Sequence, residues 1–173
     1  TAQIPSMSDE QVAWLTTAQV ASLKPAQVTA FTSSQIAAIE KVDLVVLNSA
    51  QVVALSTEQM QALTADQVAA FTTEQIAVLK SDQLAALDSS DIESLTTAQV
   101  VALNSTQVGG LTTAQLSQLS DKQLQAIESA DVAGLTTQQL ISLSNDQVIA
   151  LTTAQVVSLK PAQVAAMLTS QVE

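Results

Sequence analysis

The chain contains no cysteine, no histidine and no arginine. The missing cysteine and histidine exclude a disulfide framework, thiolate chemistry and the commonest zinc ligands. Serine and threonine are abundant, but without histidine no base stands beside any of them to activate a hydroxyl nucleophile. We therefore expect a non-enzymatic protein with no catalytic residue and no cofactor.

Basic and aromatic residues are scarce. Five lysines face 16 acidic residues, giving a net charge of -11, and this balance opposes binding to nucleic acid, which depends on clustered basic side chains. Polar residues interrupt every eight-residue stretch, so no segment approaches the roughly 18 apolar residues that membrane insertion requires. Hydrophobic residues make up 47% of the chain and aromatic residues only 2%. The buried surface must therefore come from thin layers of aliphatic side chains, as in stacked repeats.

A glutamine followed by an aliphatic residue or methionine recurs every eight residues, from Gln11-Val12 to Gln171-Val172. A short period held along a whole chain is typical of a solenoid, in which each unit buries its apolar face against neighbouring units. We therefore expect residues 1–173 to form a single octapeptide-repeat array. The first residues are already in register and the last stop early in a unit, so we expect a piece of a longer repeat region. The glutamine is replaced at Asp43, Asp91 and Asp131.

The residues before each apolar pair predict the start of a helix. Thr16 and Gln19 form the Thr-x-x-Gln pattern of a capping box, in which the threonine hydroxyl and the glutamine side chain bond each other's backbone N–H groups. Pro25 and Pro161 would stand at the first helical position, where proline is favoured. The expected capping pairs are Thr16 and Gln19, Thr72 and Gln75, Thr96 and Gln99, Thr112 and Gln115, Thr136 and Gln139, and Thr152 and Gln155.

If every octad opens with a cap, each helix has only about one and a half turns and depends on packing for its stability. The apolar residues of a unit lie at i and i+3, so both face one core. Val20 with Leu23 and Val100 with Leu103 are the expected core pairs. The sequence thus predicts an all-α solenoid, or superhelix, of short capped helices with one helix per eight-residue repeat.

Two other folds are alternatives to this prediction. One uninterrupted helix would suit the many good helix formers, but its apolar stripe would wind around the axis and Pro25 would break its backbone bonds. A β-solenoid would suit the threonines and valines, but the spacing of three then five lacks the alternation of a strand.

A longer period also runs through the chain, because residues 86–116 match residues 126–156 at a shift of 40. Five octads therefore form either one superhelical turn, with about five repeats per turn, or a unit of duplication.

Wherever aspartate replaces the glutamine, the residue three positions earlier is acidic too. An acidic pair at a helix N-terminus suits the helix dipole, which explains these residues without a ligand. Alternatively, with five octads per turn, two of the pairs would stack on adjacent coils, and a divalent cation such as calcium would bridge their carboxylates. The metal candidates on this hypothesis are Asp88, Asp91, Glu128 and Asp131.

Three further features need an explanation. Trp14 fills a slot that is otherwise small, and we expect it to pack locally. Gly109, Gly110 and Gly134 indicate either close backbone contact or a hinge. The regularly spaced threonines would present an ordered row of hydroxyls, as an ice- or carbohydrate-binding surface does, although capping already accounts for them.

The sequence Leu-Thr-Thr-Ala-Gln-Val occurs at residues 15–20, 95–100 and 151–156. These six residues resemble the opening of the repeats in transcription activator-like effectors, but no part of the chain matches the base-reading loop of those proteins, so no functional residue carries over. Across nearly the whole chain, the octads resemble those of large, repetitive bacterial proteins believed to be exported. That resemblance implies an adhesin-like structural stalk, outside the cell or at its surface.

The sequence therefore predicts a spacer, stalk or protein-interaction scaffold within a larger bacterial protein. The alternative is a ligand-binding repeat module, with divalent cations at the acidic caps or ice or carbohydrate on the threonine rows. We expect a protein partner or self-association, no nucleic acid and no membrane insertion. Outward positions such as Gln61, Glu93, Lys122 and Gln125 would vary without disturbing the core.

Overall fold

A computed structural model describes residues 3–168, and along this part of the chain one short helix forms in each octad. A 3-10 helix at Ile4–Ser6 comes first, and 20 α-helices follow. Their bounds are α1 Asp9–Ala13, α2 Thr17–Ala21, α3 Pro25–Val28, α4 Ser33–Ala38, α5 Lys41–Leu44, α6 Ser49–Ala54, α7 Thr57–Gln61, α8 Ala65–Ala70, α9 Thr73–Val78, α10 Ser81–Ala86, α11 Ser89–Glu93, α12 Thr97–Val101, α13 Ser105–Gly110, α14 Thr113–Gln118, α15 Asp121–Ala126, α16 Ser129–Val132, α17 Thr137–Ile141, α18 Asn145–Ala150, α19 Thr153–Ser158 and α20 Pro161–Leu168.

The chain leaves the helical conformation at the end of each octad. Between α14 and α15, for example, Leu119 has ψ 127° and Ser120 has ψ 160°, both extended. Pro25 and Pro161 are the first residues of their helices. The prediction of one short capped helix per repeat is confirmed, and the uninterrupted helix is wrong. Residues 3–168 contain no strand, so the β-solenoid is wrong as well. Gln171, the last glutamine of the pattern, lies outside the described residues.

Helices three apart along the chain pack against each other. The series is complete, from α1 against α4 to α17 against α20. Hydrogen bonds between turns join residues 28 apart, which is three and a half octads. The figure of about five repeats per turn is therefore wrong. The number of octads in a turn depends on how the short helices pack side by side. The similarity at a shift of 40 residues therefore does not correspond to one superhelical turn.

The apolar residue after each glutamine forms the centre of the solenoid. Val20 is 0% exposed and Val100 is 1% exposed. The leucine three residues later forms a second buried layer, where Leu103 is 3% exposed while Leu23 is only half-buried. No helix among residues 3–168 has the length and apolar character needed to cross a bilayer.

The glycines mark a close approach of two turns. A Cβ atom on Gly109 would lie 2.5 Å from the carbonyl oxygen of Gly134, and one on Gly134 would collide with the carbonyl oxygen of Ser105. Close backbone contact thus accounts for these two positions. Trp14, in contrast, is 79% exposed. The expectation that it packs locally is wrong, because no neighbouring element covers its side chain.

Candidate functional site

The glutamine of each octad first closes the cap of its own helix. In α14, Gln115 Oε1 accepts a hydrogen bond from the N–H of Thr112 at 2.8 Å, and the Gln115 N–H donates to Thr112 Oγ1 at 3.1 Å. Two of the backbone donors that a helix N-terminus leaves unpaired are thereby satisfied. The same reciprocal arrangement is present at Thr16 and Gln19, Thr72 and Gln75, Thr96 and Gln99, Thr136 and Gln139, and Thr152 and Gln155.

The other half of the same side chain reaches the preceding turn. Gln115 Nε2 donates to the carbonyl oxygens of Leu84 at 2.8 Å and Leu87 at 2.7 Å. These carbonyls belong to the C-terminal end of α10 and the residue that follows it. The Leu84 oxygen also accepts the Leu87 N–H at 3.2 Å, so Gln115 gives it a second hydrogen bond. Gln115 is only 1% exposed. One buried carboxamide therefore accepts a hydrogen bond in its own cap and donates to two carbonyl oxygens in the turn before.

This inter-turn bond repeats through the described chain, and we call the set the glutamine ladder. In each member, Nε2 lies 2.6 to 3.0 Å from the carbonyl oxygen 28 residues earlier. Buried hydrogen bonds of this kind join every turn to the previous one. The members are Gln35, Gln51, Gln59, Gln67, Gln75, Gln83, Gln99, Gln107, Gln115, Gln123, Gln139, Gln147, Gln155 and Gln163.

Capping alone does not explain why glutamine is retained. Lys80 precedes α10 and makes no side-chain cap, because an ammonium group has no acceptor. Gln83 is nevertheless present, and it accepts the Lys80 N–H at 2.9 Å while its Nε2 donates to Leu55 O at 2.8 Å. The capping interpretation missed this inter-turn role. A glutamine three residues after a lysine, as at Gln83, was the feature of the sequence that could have indicated it, because lysine cannot complete a capping box.

The ladder has gaps at Asp43, Asp91 and Asp131, none of which makes a side-chain hydrogen bond to an earlier turn within residues 3–168. Asp91 still accepts the N–H of Asp88 through Oδ2 at 2.9 Å. Burial raises the pKa of Asp91 above its ordinary value. The negative charge of Asp88 adds to that rise in pKa, and the bond from the Asp88 N–H partly opposes it. Asp91 thus closes the cap of its own helix, but it does not link the turns.

The acidic pairs do not assemble into one cluster. Helix α11, which follows Asp88, packs against α8 and α14, whereas α16, which follows Glu128, packs against α13 and α19. Asp88 and Asp91 therefore do not stack on Glu128 and Asp131. Within residues 3–168, no three or more acidic side chains come close enough to hold a metal ion on their own.

The hydroxyls of the threonines that immediately precede a helix are engaged in the caps. Thr96 Oγ1 accepts the N–H of Gln99 at 3.2 Å and donates to Gln99 Oε1 at 3.0 Å. A hydroxyl that both donates and accepts within its own cap has little capacity left to order a carbohydrate or ice lattice.

A family model, described as the ALTTAQ repeat, matches residues 36–73, 84–121 and 124–161. The matched segments cover about two thirds of the chain and lie wholly within the octad array. No curated protein matches the chain at a significant level.

Proposed function

Because the chain belongs to the ALTTAQ repeat family, we propose that it is a non-enzymatic spacer and scaffold segment whose length is set by the number of octads. The supporting observation is the glutamine ladder, which ties each turn to the preceding one through the described array. In a solenoid of this kind each unit contacts only near neighbours, so adding units lengthens the structure without changing its cross-section.

Buried contacts favour a stiff spacer rather than a flexible one. Between Gln115 and α10, two charge-neutral hydrogen bonds are buried together with Leu84 and Leu116, each 0% exposed. Bending the array at that point would open both bonds and expose the aliphatic layer. An unmade buried hydrogen bond costs about 1 to 3 kcal/mol, so the straight packed form is strongly preferred.

The outer surface supports the scaffold part of the proposal. Gln61, Glu93 and Lys122 are exposed and their side chains take no part in the ladder, so substitution there changes the surface and leaves the fold intact. Ile149 is 80% exposed and Val157 is 79% exposed, and apolar side chains of this type provide contact area for a protein partner. In keeping with the resemblance to exported repetitive proteins, the setting that we propose for such a segment is a surface stalk of a larger bacterial protein.

Duplication of residues 96–151 tests the spacer function. This segment holds seven octads, or two turns of three and a half, and it begins at a cap and ends at the leucine before the next cap. Since packed helices lie about 8 to 10 Å apart, we expect the maximum dimension in small-angle X-ray scattering to grow by about 16 to 20 Å. The radius of the cross-section should stay unchanged.

The matched control inserts a Gly-Ser sequence of equal length after Leu151. That chain gains a flexible loop, so its scattering should show increased disorder and no regular growth in length. Fluorescent donor and acceptor dyes at the two ends provide a second measurement, with transfer efficiency falling in the duplicated protein. A duplicated protein that widens without lengthening would contradict the proposal.

A further inference from the structure

Helix α5 begins without the hydrogen bonds that open the other short helices. It has only four residues, Lys41–Leu44. Glu40, the residue before it, makes no side-chain cap, and within residues 3–168 no acceptor receives the Glu40 N–H. Helix α3 is equally short, yet Gln27 Oε1 accepts the Lys24 N–H there at 2.9 Å. The short length of α5 therefore does not by itself account for the missing bond.

The end of α5 and its link to the preceding turn are also unmade. Within residues 3–168 the N–H of Val45, which follows the helix, makes no hydrogen bond. At the same place after α3, the Thr29 N–H donates to the Pro25 carbonyl at 3.1 Å. Asp43 stands where a ladder glutamine would bond the turn before. Helix α5 thus lacks its start, its end and its inter-turn bond together.

The side chain of Asp43 makes the packed form of α5 less favourable. Asp43 is 4% exposed, and its carboxylate has no hydrogen-bond or ion-pair partner within residues 3–168. The ammonium of Lys41 is paired with Asp66 at 3.5 Å instead. Burial of a charge without a partner is costly, so opening α5 gains free energy by returning this carboxylate to water.

Helix α5 also buries little apolar surface. Leu44 is 0% exposed, but Val42 is 57% exposed and Val45, just after the helix, is 37% exposed. Leu44 is the one apolar side chain of the helix itself that is fully covered. Local opening is easiest where few apolar contacts are buried and few backbone bonds are made, and α5 meets both conditions.

The other two gaps in the ladder have compensating contacts. In the octad of Asp91, Ser94 Oγ donates to the carbonyl oxygen of Ala65 in the preceding turn at 3.1 Å. In the octad of Asp131, Gly134 lies against the carbonyl oxygen of Ser105, so closely that a Cβ atom would collide with it. These contacts hold α11 and α16 to the turn before them, whereas α5 has no side-chain hydrogen bond to its preceding turn.

The octads on either side of α5 remain bonded. Gln35 Nε2 donates to the carbonyl oxygen of Met7 at 2.7 Å, and Gln51 Nε2 donates to that of Leu23 at 2.7 Å. Both are buried members of the ladder. Opening of α5 can therefore occur while α4 and α6 stay attached to the turn before.

From these contacts we infer that residues 40–47 form a yielding joint, the octad that opens first, under thermal motion or under tension, while the neighbouring turns stay stacked. The inference deepens the proposed function and rests on it, because it names the point at which the stiff spacer gives way. The joint lets the array yield locally and close again without losing its other turns.

The scarcity of basic residues gives a direct test with trypsin, which cleaves after lysine or arginine but not before proline. The chain has no arginine, and Lys24 and Lys160 precede proline, so only Lys41, Lys80 and Lys122 are cleavable. Cleavage rates are measured on the folded full chain and divided by the rates at the same bonds in the urea-unfolded chain. Because cleavage reports the population of the open form, we expect this ratio to be about tenfold or more higher at Lys41 than at the other two sites.

Asp43→Gln supplies both the missing cap acceptor and the missing inter-turn donor. It should slow cleavage at Lys41 by about tenfold and leave cleavage at Lys80 and Lys122 unchanged. An acid near the cleaved bond slows trypsin, so removal of this charge would by itself act in the opposite direction. Asp146→Gln is the matched control, because Asp146 is exposed and the same change there should leave the rate at Lys41 unaltered.

Two further variants show whether the opening is confined to α5. Ser33→Lys and Ser49→Lys place a lysine in α4 and α6 at the helix position that Lys41 has in α5, and both serines are exposed. We expect the introduced lysines to resist trypsin, since Gln35 and Gln51 hold their octads. Cleavage there as fast as at Lys41 would overturn the inference, because the opening would not be specific to this octad.

Equal ratios at Lys41, Lys80 and Lys122 would also overturn the joint, as would an Asp43→Gln variant that is cleaved as fast as the wild type. These results are separate from the test of the spacer. An array without the joint would still lengthen on duplication of residues 96–151, whereas failure of that lengthening would contradict the spacer whatever the pattern of cleavage.

Discussion

The Nε2 atom of Gln115 lies 2.7 Å from the carbonyl oxygen of Leu87, 28 residues earlier in the chain. The bond joins two turns of the solenoid, while Oε1 of the same carboxamide holds the N–H of Thr112 at the start of its own helix. A single amide thereby couples where a helix begins to how the turns stack. That coupling makes the octad, rather than the individual helix, the unit of stability.

Gln115→Leu should destabilise the protein by about 2 to 4 kcal/mol, because it leaves the Thr112 N–H and the Leu87 carbonyl unpaired, while the Leu84 carbonyl keeps only its bond from the Leu87 N–H. Gln19→Leu is the matched control. Gln19 is exposed, closes its cap on Thr16, and makes no inter-turn bond within residues 3–168, so a loss of about 0.5 to 1 kcal/mol is expected. Urea denaturation followed by circular dichroism measures both. Equal losses would show that the inter-turn bonds contribute nothing.

Asp91→Gln should restore the missing member of the ladder and stabilise the chain by about 1 to 2 kcal/mol at neutral pH. The gain should depend on pH. Since the folded-state pKa of Asp91 is raised, its protonated form is favoured on folding, and wild-type stability at this residue is full below the unfolded pKa and declines as pH rises through the folded pKa. The difference between variant and wild type should therefore be small in acid and larger at pH 7.

Urea midpoints at several pH values measure that difference. Other acidic groups titrate in both proteins and cancel. A gain for Asp91→Gln that increases towards low pH would contradict the raised pKa and the assignment of the gap.

Leu116→Ala should cost about 2 to 5 kcal/mol, since Leu116 is 0% exposed and the cavity cannot collapse between packed turns. Ile149→Ala removes a comparable aliphatic side chain that is 80% exposed and should change stability by less than about 0.5 kcal/mol. Thermal melts compare the two. A large loss for Ile149→Ala would mean that this surface is covered in solution.

Gly134→Ala should destabilise the chain by about 1 to 3 kcal/mol, because the added methyl group meets the carbonyl oxygen of Ser105 and forces α13 and α16 apart. The backbone cannot yield as a flexible side chain would. Denaturant unfolding measures the loss, and a variant as stable as the wild type would show that the two turns are farther apart than described.

Several features of the fold followed from local sequence. Thr-x-x-Gln before an apolar residue predicted where helices such as α2 and α14 begin, since a capping box involves only residues three apart. Val100 and Leu103 are also three residues apart, so they lie on one face of the helix, and this position predicted their burial. Local hydrogen bonding and the period of eight residues were sufficient to predict a solenoid with one helix per repeat.

The number of octads per turn and the second role of the glutamine were decided by tertiary structure. Both depend on which carbonyl lies opposite a given Nε2, and that pairing, such as Gln115 with Leu87, spans 28 residues. The sequence shows that the glutamines recur every eight residues along the chain. It does not show which residues of different turns lie close together in space. The repeat therefore determined the helices and their caps by itself, whereas the packing of short helices side by side decided the turn, the ladder and its gaps.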